Sequence, residues 1–394
     1  MSEKLALCFV TREYPPETDY GGIGSYYYAV ARTLAQRGHT VVVLSEALGA
    51  ERYEVCDGVH VYRIRPRYSV SHLPLVWRLQ AVWRGYRLAV ALALRQIVAR
   101  HAIQLIESPE LHAEPYLYSL LPKRPPMVVR LHTGTRLGVK FNPQPLTPRI
   151  RLNMRLENAL LSRAQAISAP SKAVAEQSQR CGVRLRRYQV IPNGVDVDRF
   201  VPPERESAAP RLLFCGRLEH WKGADVLCAA LPRLYANFPS LQVHCIGADT
   251  QTRDGLWASE RLRRLVPSRY QAQLHFLGKL PHEQLVAQYQ QATVVVVPSR
   301  WESFGLVAVE AMACGRAVVV SAAGGLAEVV EDGVSGLQCP VDDSQALAAA
   351  VARLLSDSAL RARLGAAARQ RVEQLYAIER VCDQLERFYE SLIA

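Results

Sequence analysis

The sequence predicts an α/β protein built from two doubly wound parallel-sheet domains, and three observations support this prediction. The apolar segments are short and rich in Val, Ile and Leu, which is typical of strands buried on both faces of a sheet. Amphipathic stretches of helical length separate these segments, as the crossover connections of a parallel sheet require. The chain has 394 residues, 49% of them hydrophobic, which is enough for two separate cores.

Twelve strands are predicted, which is more than one doubly wound sheet normally holds. They cover residues 5–10, 40–44, 59–64, 103–107, 127–132, 165–170, 188–192, 211–216, 241–247, 274–278, 293–298 and 317–322. The periodicity stops at residues 193–210, where three prolines indicate a domain break near residue 195. We therefore predict a first domain at 1–195, a second domain at 196–375 and a closing helix at 376–394.

Charge, cysteine content and hydropathy restrict the class of protein without selecting one. The net charge of +12 would suit nucleic acid, an anionic membrane surface or acidic small molecules. The nine cysteines form no CxxC pair, and Cys8, Cys215, Cys245 and Cys314 lie in apolar runs, so we expect free buried thiols in a reducing cytoplasm. The longest apolar run of the N-terminal half has seven residues, whereas about 20 span a bilayer, and the first residues show no signal-peptide pattern.

Glycines follow the first predicted strand. Open α/β sheets bind ligands beyond the carboxyl ends of their strands, so the residues that follow strands are the first site candidates. Gly21, Gly22 and Gly24 precede a helix predicted to begin near Ser25, where backbone amides can approach an anion. A flexible loop before an ordinary helix is the alternative.

Two cations and two glutamates follow strands of the second half. Arg217 and Lys222 are well placed for a diphosphate, although a solvated surface pair stays open. Glu302 lies in a loop, and Glu310 falls eight positions later, in the second turn of the next helix. On one helix that spacing would put the two side chains about 80° apart. The carboxylates therefore suit different parts of one ligand better than the two sides of a single bond.

The helix after Glu302 is predicted to present free backbone amides. Ser303 can cap this helix, whose first amides, near Phe304 to Leu306, have no intrahelical partners. Gly324 and Gly325 follow the next strand and open another helical segment. Both segments favour anion binding at helix N-termini.

In the first half, Glu107 and His132 each end a predicted strand. A lone histidine is more often structural, and that alternative stays open. A histidine at the carboxyl end of a strand, followed here by Thr-Gly-Thr, is nevertheless a catalytic candidate.

The order of these motifs along the chain is itself informative. It reads EYPP, GGIG, RGH, VRLH, VIPNGVD, GRLEHWKG, FLGKLP and VVVVPSRWESFGLVAVEAMACGRAVV. This series resembles the retaining GT-B glycosyltransferases of the large GT4 family over nearly the whole chain, and most specifically over residues 211–343. The resemblance implies two facing Rossmann-like domains with a cleft between them, and a C-terminal helix that packs back on the first domain.

The resemblance also implies roles for individual residues. Glu302 faces the hydroxyls of the donor sugar, Glu310 binds the ribose, and residues 278–280 meet the base through backbone groups. His132 and Glu302 are the implied catalytic residues. The implied donor-binding residues are Gly21, Gly22, Arg217, Lys222, Gly278, Lys279, Leu280, Glu302, Ser303, Phe304, Gly305, Leu306 and Glu310.

The implied activity is retaining transfer of a sugar from a nucleotide-diphosphate sugar, UDP in preference to GDP, to a hydroxyl acceptor. Positive side chains and helix N-termini can stabilise the leaving diphosphate, so we expect neither a metal ion nor another cofactor to be required. The paired acids at 196 and 198 and at 342 and 343 suit turns or a helix start. Open alternatives are a same-fold epimerase or glucan synthase, an inactive scaffold, and a basic nucleic-acid-binding protein, although no nucleic-acid-binding motif is present.

Two basic segments concern the acceptor and the location. Residues 76–100 form a basic, tryptophan-bearing helix that suits an anionic membrane surface, with a core-packed helix as the alternative. The second segment follows His132 and favours an acceptor with a phosphate or carboxylate group. Its cations are Arg136, Lys140, Arg149, Arg151 and Arg155, and we expect Glu107, Arg136 and Lys140 to contact the acceptor. The expected location is the cytoplasm, with peripheral contact at the inner face of the membrane left open.

Overall fold

The computed structural model describes residues 4–18, 21–66, 75–185, 188–205, 209–251 and 255–393, with the backbone alone for residues 75–84 and 282. The chain divides into two compact units. Unit 1 comprises residues 1–194 together with 378–394, and unit 2 comprises residues 195–377.

The described strands form one sheet in each unit. The strands are β1 (Ala6–Val10), β2 (Thr40–Glu46), β3 (Arg52–Cys56), β4 (Val59–Ile64), β5 (Leu105–Pro109), β6 (Met127–Arg130), β7 (Ala166–Ala169), β8 (Tyr188–Val190), β9 (Arg211–Cys215), β10 (Gln242–Ile246), β11 (Leu274–Gly278), β12 (Val294–Val297), β13 (Ala317–Ser321) and β14 (Leu337–Cys339). Unit 1 has the order β3-β4-β2-β1-β5-β6-β7-β8, and unit 2 has the order β11-β10-β9-β12-β13-β14. All neighbouring strands are parallel except the β3–β4 pair.

Helices lie between the parallel strands and also follow β14. They are α1 (Gly22–Gln36), α2 (Leu75–His101), α3 (Thr135–Phe141), α4 (Pro148–Arg163), α5 (Lys172–Arg180), α6 (Ala224–Asn237), α7 (Ala258–Arg264), α8 (His282–Gln291), α9 (Leu306–Ala313), α10 (Leu326–Val329), α11 (Ser344–Ser356), α12 (Ser358–Leu375) and α13 (Ile378–Ile393). None of those in the described part of the chain combines the length and apolar character that crossing a bilayer requires.

Burial on both faces explains the composition of the central strands. All residues of β12 and β13 are buried, and alternate side chains enter different apolar clusters. One cluster includes α6 and α11, and the other includes α9 and α12. The predicted fold class, two parallel-sheet α/β domains, is therefore confirmed.

The C-terminal helix α13 belongs to unit 1, where it packs beside α1. Val381, Cys382 and Leu385 share an apolar cluster with residues of α1. Outside this cluster, Arg37 forms ion pairs with three acids of α13, at 2.8 Å to Asp383 and 3.0 Å to Glu386 and also to Glu379. An apolar stripe and a charged rim thus hold α13 against α1.

The described part of the chain contains all twelve predicted strands and two more, β3 and β14, that were not predicted. The missed β3 is a largely exposed edge strand, joined to β4 by the two-residue turn Asp57–Gly58. Both turn residues have positive φ, 51° and 79°, as a type I′ hairpin turn requires. The Asp-Gly dipeptide was therefore the available signal for β3, whereas β14 has only three residues and no such signal.

Helix α2 confirms the predicted helix at 76–100, and its described arginines differ in exposure. Arg87 is buried, with 5% of its surface exposed, and its guanidinium donates hydrogen bonds to the carbonyls of His112 and Ala113. Arg95 and Arg100 are exposed. The side chains of Trp77, Arg78, Trp83 and Arg84 lie outside the described residues.

Candidate functional site

The sheet of unit 2 reverses its strand order between β9 and β12, which are neighbours in space. Crevices at such a switch point are where open α/β sheets bind ligands. The loop after β9 carries Arg217 and Lys222, and the loop after β12 carries Glu302. The predicted donor-binding residues of these two loops therefore follow adjacent strands.

Lys222 and Glu302 form a direct ion pair across this switch point. The Lys222 ammonium donates to Glu302 Oε1 at 2.6 Å, and the Ser299 hydroxyl donates to the same oxygen at 3.0 Å. Both side chains remain partly accessible, at 23% for Lys222 and 16% for Glu302. Glu302 Oε2 accepts no hydrogen bond from the residues that the structure describes. The pair therefore keeps donors and an acceptor that a ligand can use.

Arg217 is more exposed than Lys222 and has a different partner. Its guanidinium lies 3.1 Å from Glu219 Oε1, and 56% of its side chain is accessible. Glu219 also accepts a hydrogen bond from the Trp221 indole. Arg217 and Lys222 thus lie in the same loop, but Arg217 takes no part in the Lys222–Glu302 ion pair.

Two contacts bring the loops together. Arg300, in the β12 loop, donates two hydrogen bonds to Asp225 at the start of α6, at 2.8 and 2.7 Å. Gly223 has φ 70°, and a β-carbon there would lie 1.9 Å from the carbonyl oxygen of Pro298. Only glycine permits this approach, because any side chain would separate the two loops.

The loop that carries Glu302 is also fixed by the glycines after β13. The Gly325 amide donates to the Glu302 carbonyl at 2.8 Å. Gly324 has φ 55°, and a β-carbon there would lie 2.2 Å from the same carbonyl oxygen. The backbone of Glu302 is therefore held by the next loop of the sheet.

Helix α9 begins two residues later than a cap at Ser303 would require. Its N-cap is Gly305, with φ 105° and no side-chain hydrogen bond, so the predicted capping by Ser303 is wrong. Phe304 is buried in an apolar cluster, which draws the chain inward before Leu306 starts the helix. The N-cap glycine contributes no side-chain acceptor to the first amides of α9, and a helix N-terminus of this kind favours an anion.

Glu310 lies in the second turn of α9, as predicted, and it is 8% exposed. The Tyr289 hydroxyl donates to Glu310 Oε2 at 2.6 Å. Burial, followed by the nearby Cys215 and Glu310, raises the pKa of Tyr289 well above its ordinary value, so it stays a donor. Glu310 is thus anchored from the core side.

Strand β11 ends at Gly278, and Lys279 and Leu280 follow it. Gly278 has φ 68°, and its carbonyl accepts the Gly247 amide at 2.9 Å. Lys279 is exposed, and Leu280 packs against an apolar cluster. The segment lies at the carboxyl edge of the same sheet, two strands away from β9.

In unit 1, Gly21 is the N-cap of α1, which begins at Gly22 rather than near Ser25. The preceding loop is held by Arg63, which is 1% exposed and donates to the carbonyls of Tyr14 at 2.7 Å and Pro15 at 3.2 Å. The N-cap glycine contributes no side-chain hydrogen bond, and the Glu13 carboxylate lies beside it, with Oε2 2.5 Å from the position of a β-carbon on Gly21.

His132 lies two residues beyond β6, which ends at Arg130 rather than at residue 132. Its amide donates to both oxygens of Glu110, each at 2.9 Å. The imidazole lies 5.7 Å from the ring of Tyr26 and 6.2 Å from that of Tyr27. Burial and then the charge of Arg130 hold the pKa of His132 well below its usual value, which favours a neutral ring.

The three predicted acceptor contacts occupy different environments. Glu107 does not end its strand but is the third residue of β5, fully buried, so it is a core residue that no acceptor reaches. Arg136 is partly buried and donates to the Cys181 carbonyl at 3.3 Å. Lys140 is exposed at the end of α3.

A group of buried side chains around the segment after β5 was not predicted from the sequence. His112 and Ala113 both have positive φ, 66° and 45°, although neither is glycine. Arg87 donates to both of their carbonyls, while the His112 amide donates to Glu157 at 3.1 Å. Burial raises the pKa of Glu110 to about 8 and lowers that of His112 to about 4. Strained residues held in this way are concentrated at functional sites, and the acids of ESPELHAE were their sequence signal.

The acids considered for a metal have structural partners. Asp196 accepts the amides of Asp198 and Arg199, which forms a turn, and Asp343 accepts the amides of Gln345 and Ala346 at the start of α11. The predicted turn and helix start are confirmed. In the described residues, no three His, Cys, Asp or Glu side chains are grouped as metal ligands.

Both halves of the chain match known sequence families. Residues 198–371 match the family described as "Glycosyl transferases group 1", and residues 20–199 match "Glycosyltransferase Family 4". The D-inositol 3-phosphate glycosyltransferase of Geodermatophilus obscurus is 32% identical over 96% of this chain and 86% of that protein. The glycogen synthase of Mycobacterium tuberculosis is 31% identical over 93% of this chain and 90% of that protein.

The fold is shared with solved structures. The sucrose-phosphate synthase of Thermosynechococcus elongatus superposes with a TM-score of 0.82 at 26% identity and covers 99% of both chains. This similarity extends over both units.

Proposed function

The chain belongs to the group 1 glycosyltransferases, and on this premise we propose that it transfers a sugar from a UDP-sugar to a hydroxyl acceptor, with retention of configuration and without a metal ion. Unit 2 binds the donor in this proposal, and unit 1 binds the acceptor. The observation that supports it most strongly is the Lys222–Glu302 pair at the switch point of a sheet.

Lys222 is proposed to bind the diphosphate. An ammonium group has three donors, and Glu302 uses one of them, so two remain for phosphate oxygens. The amides of Gly305 and Leu306 and the positive end of α9 would add to this charge, and Arg217 would add a second cation. Together these groups would stabilise the negative charge that develops on the leaving diphosphate, which supports metal independence.

Glu302 and Glu310 are proposed to bind different ends of the donor. Glu302 Oε2 would accept hydrogen bonds from hydroxyls of the sugar, while Glu310, anchored by Tyr289, would bind the ribose. Glu302 is a poor nucleophile because Lys222 and Ser299 stabilise its charge. This favours attack by the acceptor on the face that the diphosphate leaves, without a covalent sugar–Glu302 intermediate.

The choice of UDP over GDP depends on residues 278–280. Guanine presents N–H donors that a carboxylate would recognise, and this segment, Gly-Lys-Leu, contains no acid. Contact through backbone groups suits the smaller uracil ring. The preference for UDP is therefore independent of the roles proposed for Lys222, Glu302 and Glu310.

The acceptor is proposed to carry a phosphate or carboxylate group. Lys140, Arg149, Arg151 and Arg155 are exposed cations of unit 1. The relative from Geodermatophilus obscurus is named for an inositol phosphate, and the similar solved structure is a sucrose-phosphate synthase. The 31% identity with a glycogen synthase favours a second candidate, an uncharged glucan acceptor.

Thermal-shift measurements with UDP, GDP, ADP and their glucose conjugates test the donor. A ligand at a hundredfold excess over its Kd stabilises the native state by about 2.7 kcal/mol. We expect a shift with UDP and UDP-glucose that persists in EDTA, and none in Lys222→Ala. A shift with GDP alone, or one that EDTA abolishes, would contradict the nucleotide or the metal independence.

Transfer assays then test the acceptor and the stereochemistry. Glucose 6-phosphate and inositol phosphate should be better acceptors than glucose, inositol or short glucans, and the anomeric proton signal of the product should show the configuration of the donor. Preferred transfer to glucans would support the second candidate, and an inverted product would contradict retention.

A further inference from the structure

A buried carboxylate in unit 1 joins two helices that are distant in sequence. Glu107 accepts the Tyr26 hydroxyl on Oε1 at 3.0 Å and the Tyr389 hydroxyl on Oε2 at 2.7 Å. Tyr26 belongs to α1 and Tyr389 to α13. All three residues have at most 1% exposure. The carboxylate is therefore a fixed link between the C-terminal helix and α1.

The same tyrosine of α1 is packed against His132. The two rings are 5.7 Å apart in an edge-to-face arrangement. On its face, Tyr26 is covered by the Arg130 guanidinium, 4.0 Å from the ring centroid. Arg130 is fully buried and donates to the Ile191 carbonyl and to Asn193 Oδ1, both at 2.8 Å. Tyr26 is thus fixed at its hydroxyl, its face and its edge.

A purely apolar core would stabilise this part of the unit at lower cost. Burying a carboxylate and a guanidinium carries a desolvation penalty that their interactions must offset. Hydrogen bonds to Glu107 instead define the position of each hydroxyl to a few tenths of an ångström. The network therefore holds the Tyr26 ring in a single position, and the imidazole of His132 packs against that ring.

We propose that Tyr389 is a positioning residue for His132, acting through Glu107 and Tyr26. It touches no substrate. The C-terminal helix α13 then helps to hold His132 in position, in addition to stabilising unit 1. The functional side of this inference rests on the proposed role of His132, whereas its structural side does not.

The test compares two substitutions in α13 of the full-length protein. Tyr389→Phe keeps the ring and removes only the hydroxyl that binds Glu107. Val381→Ala is the control, because Val381 is fully buried in the apolar cluster beside α1 and is no part of the Glu107 network. Both variants should lower Tm, so a loss of stability alone does not distinguish them.

The first readout is the His132 ring signal in spectra of histidine-labelled protein, assigned with His132→Ala. We expect Tyr389→Phe to shift or broaden this signal and Val381→Ala to leave it in place. The second readout is transfer from UDP-glucose to the best acceptor found. Tyr389→Phe should lower kcat roughly three- to tenfold at unchanged donor KM, well below the 10²-fold that a 1 Å misplacement can cost.

An unmoved His132 signal in Tyr389→Phe, or equal effects of the two substitutions, would overturn the inference. If Tyr389→Phe does not fold, Tyr26→Phe replaces it, with the same expected result and a larger shift. Wild-type kcat in His132→Ala would instead contradict the proposed role of His132. The ring signal would still decide whether Tyr389 positions it.

Discussion

The two units share the order of their central parallel strands but place charge differently in the segments that follow these strands. In unit 2, Lys222 and Glu302 pair at a partly accessible position, on loops that glycines bring together. In unit 1, Glu110 and Glu157 are each 4% exposed and bind backbone amides. The two units therefore use carboxylates in different ways. In unit 2, Glu302 keeps one oxygen available to a ligand. In unit 1, Glu110 and Glu157 hold the backbone at His132 and His112.

The largest expected effect comes from breaking the accessible pair of unit 2. Lys222→Ala and Glu302→Ala should each lower transfer by about 10²-fold or more, as loss of a preorganised charge contact does. Steady-state assays with UDP-glucose measure this. Arg353→Ala, which removes an exposed cation of α11 in the same unit, should have wild-type rates. Wild-type rates in both site variants would refute the assignment.

A smaller effect is expected from moving the Glu302 backbone without changing its side chain. Gly324→Ala would place a β-carbon 2.2 Å from the Glu302 carbonyl, whereas Gly333, with a similarly positive φ of 70°, has open space around it. Both alanines carry a left-handed strain of order 1–3 kcal/mol. Only Gly324→Ala should also lower kcat/KM, by about tenfold. If Gly324→Ala and Gly333→Ala had equal kcat/KM and equal Tm, the clash with the Glu302 carbonyl would be relieved by a shift elsewhere.

The anchor of Glu310 should affect binding more than chemistry. Tyr289→Phe removes the hydrogen bond to Glu310 and should raise the donor KM a few-fold with kcat nearly unchanged, because the ribose contact is the same in ground and transition states. Tyr235→Phe, at another buried tyrosine of unit 2, is the control. A fall in kcat at constant KM would place Glu310 in the chemical step.

The smallest effect concerns the buried carboxylates of unit 1 and appears as pH dependence of stability. The pKa of Glu110 is raised by burial to about 8, so the native state binds more protons than the unfolded state from about pH 4.5 to 8. Its contribution to stability is therefore fully present below that range and is lost as pH rises through it.

Glu110→Gln should accordingly show a shallower fall in Tm between pH 5.5 and 8.5 than the wild type, by a few degrees. Differential scanning calorimetry at three pH values measures this. Glu283→Gln, at an exposed glutamate of unit 2, should leave the wild-type slope unchanged. An identical slope in Glu110→Gln and wild type would mean that Glu110 is ionised throughout.

Sequence patterns were most informative where burial is continuous. The VVVV run of β12 and the VVV of β13 read as strands because both faces are buried, and Arg217, Lys222 and Glu302 follow such strands. The exposed strand β3 lacks that signal and was visible only through Asp57–Gly58. Local patterns therefore locate strands and the loops after them.

Long-range partners had no local signal. Glu107 was expected at the acceptor, yet tyrosines of α1 and α13 enclose it, one of them 282 positions away. Arg87 belongs to the basic helix whose expected positions were a membrane surface or the core, and its guanidinium donates hydrogen bonds to the carbonyls of His112 and Ala113. Whether a charged residue binds a ligand or the backbone depends on which elements surround it, and a single sequence does not specify that.

Calorimetric titration of UDP and UDP-glucose into wild type, Lys222→Ala and Glu302→Ala tests the central claim most directly. If Lys222 binds the diphosphate and Glu302 the sugar, Lys222→Ala should weaken both ligands by a similar factor. Glu302→Ala should bind UDP like the wild type and lose only the additional affinity for UDP-glucose. An equal loss of UDP affinity in Glu302→Ala, or unchanged binding of both ligands in Lys222→Ala, would contradict the account.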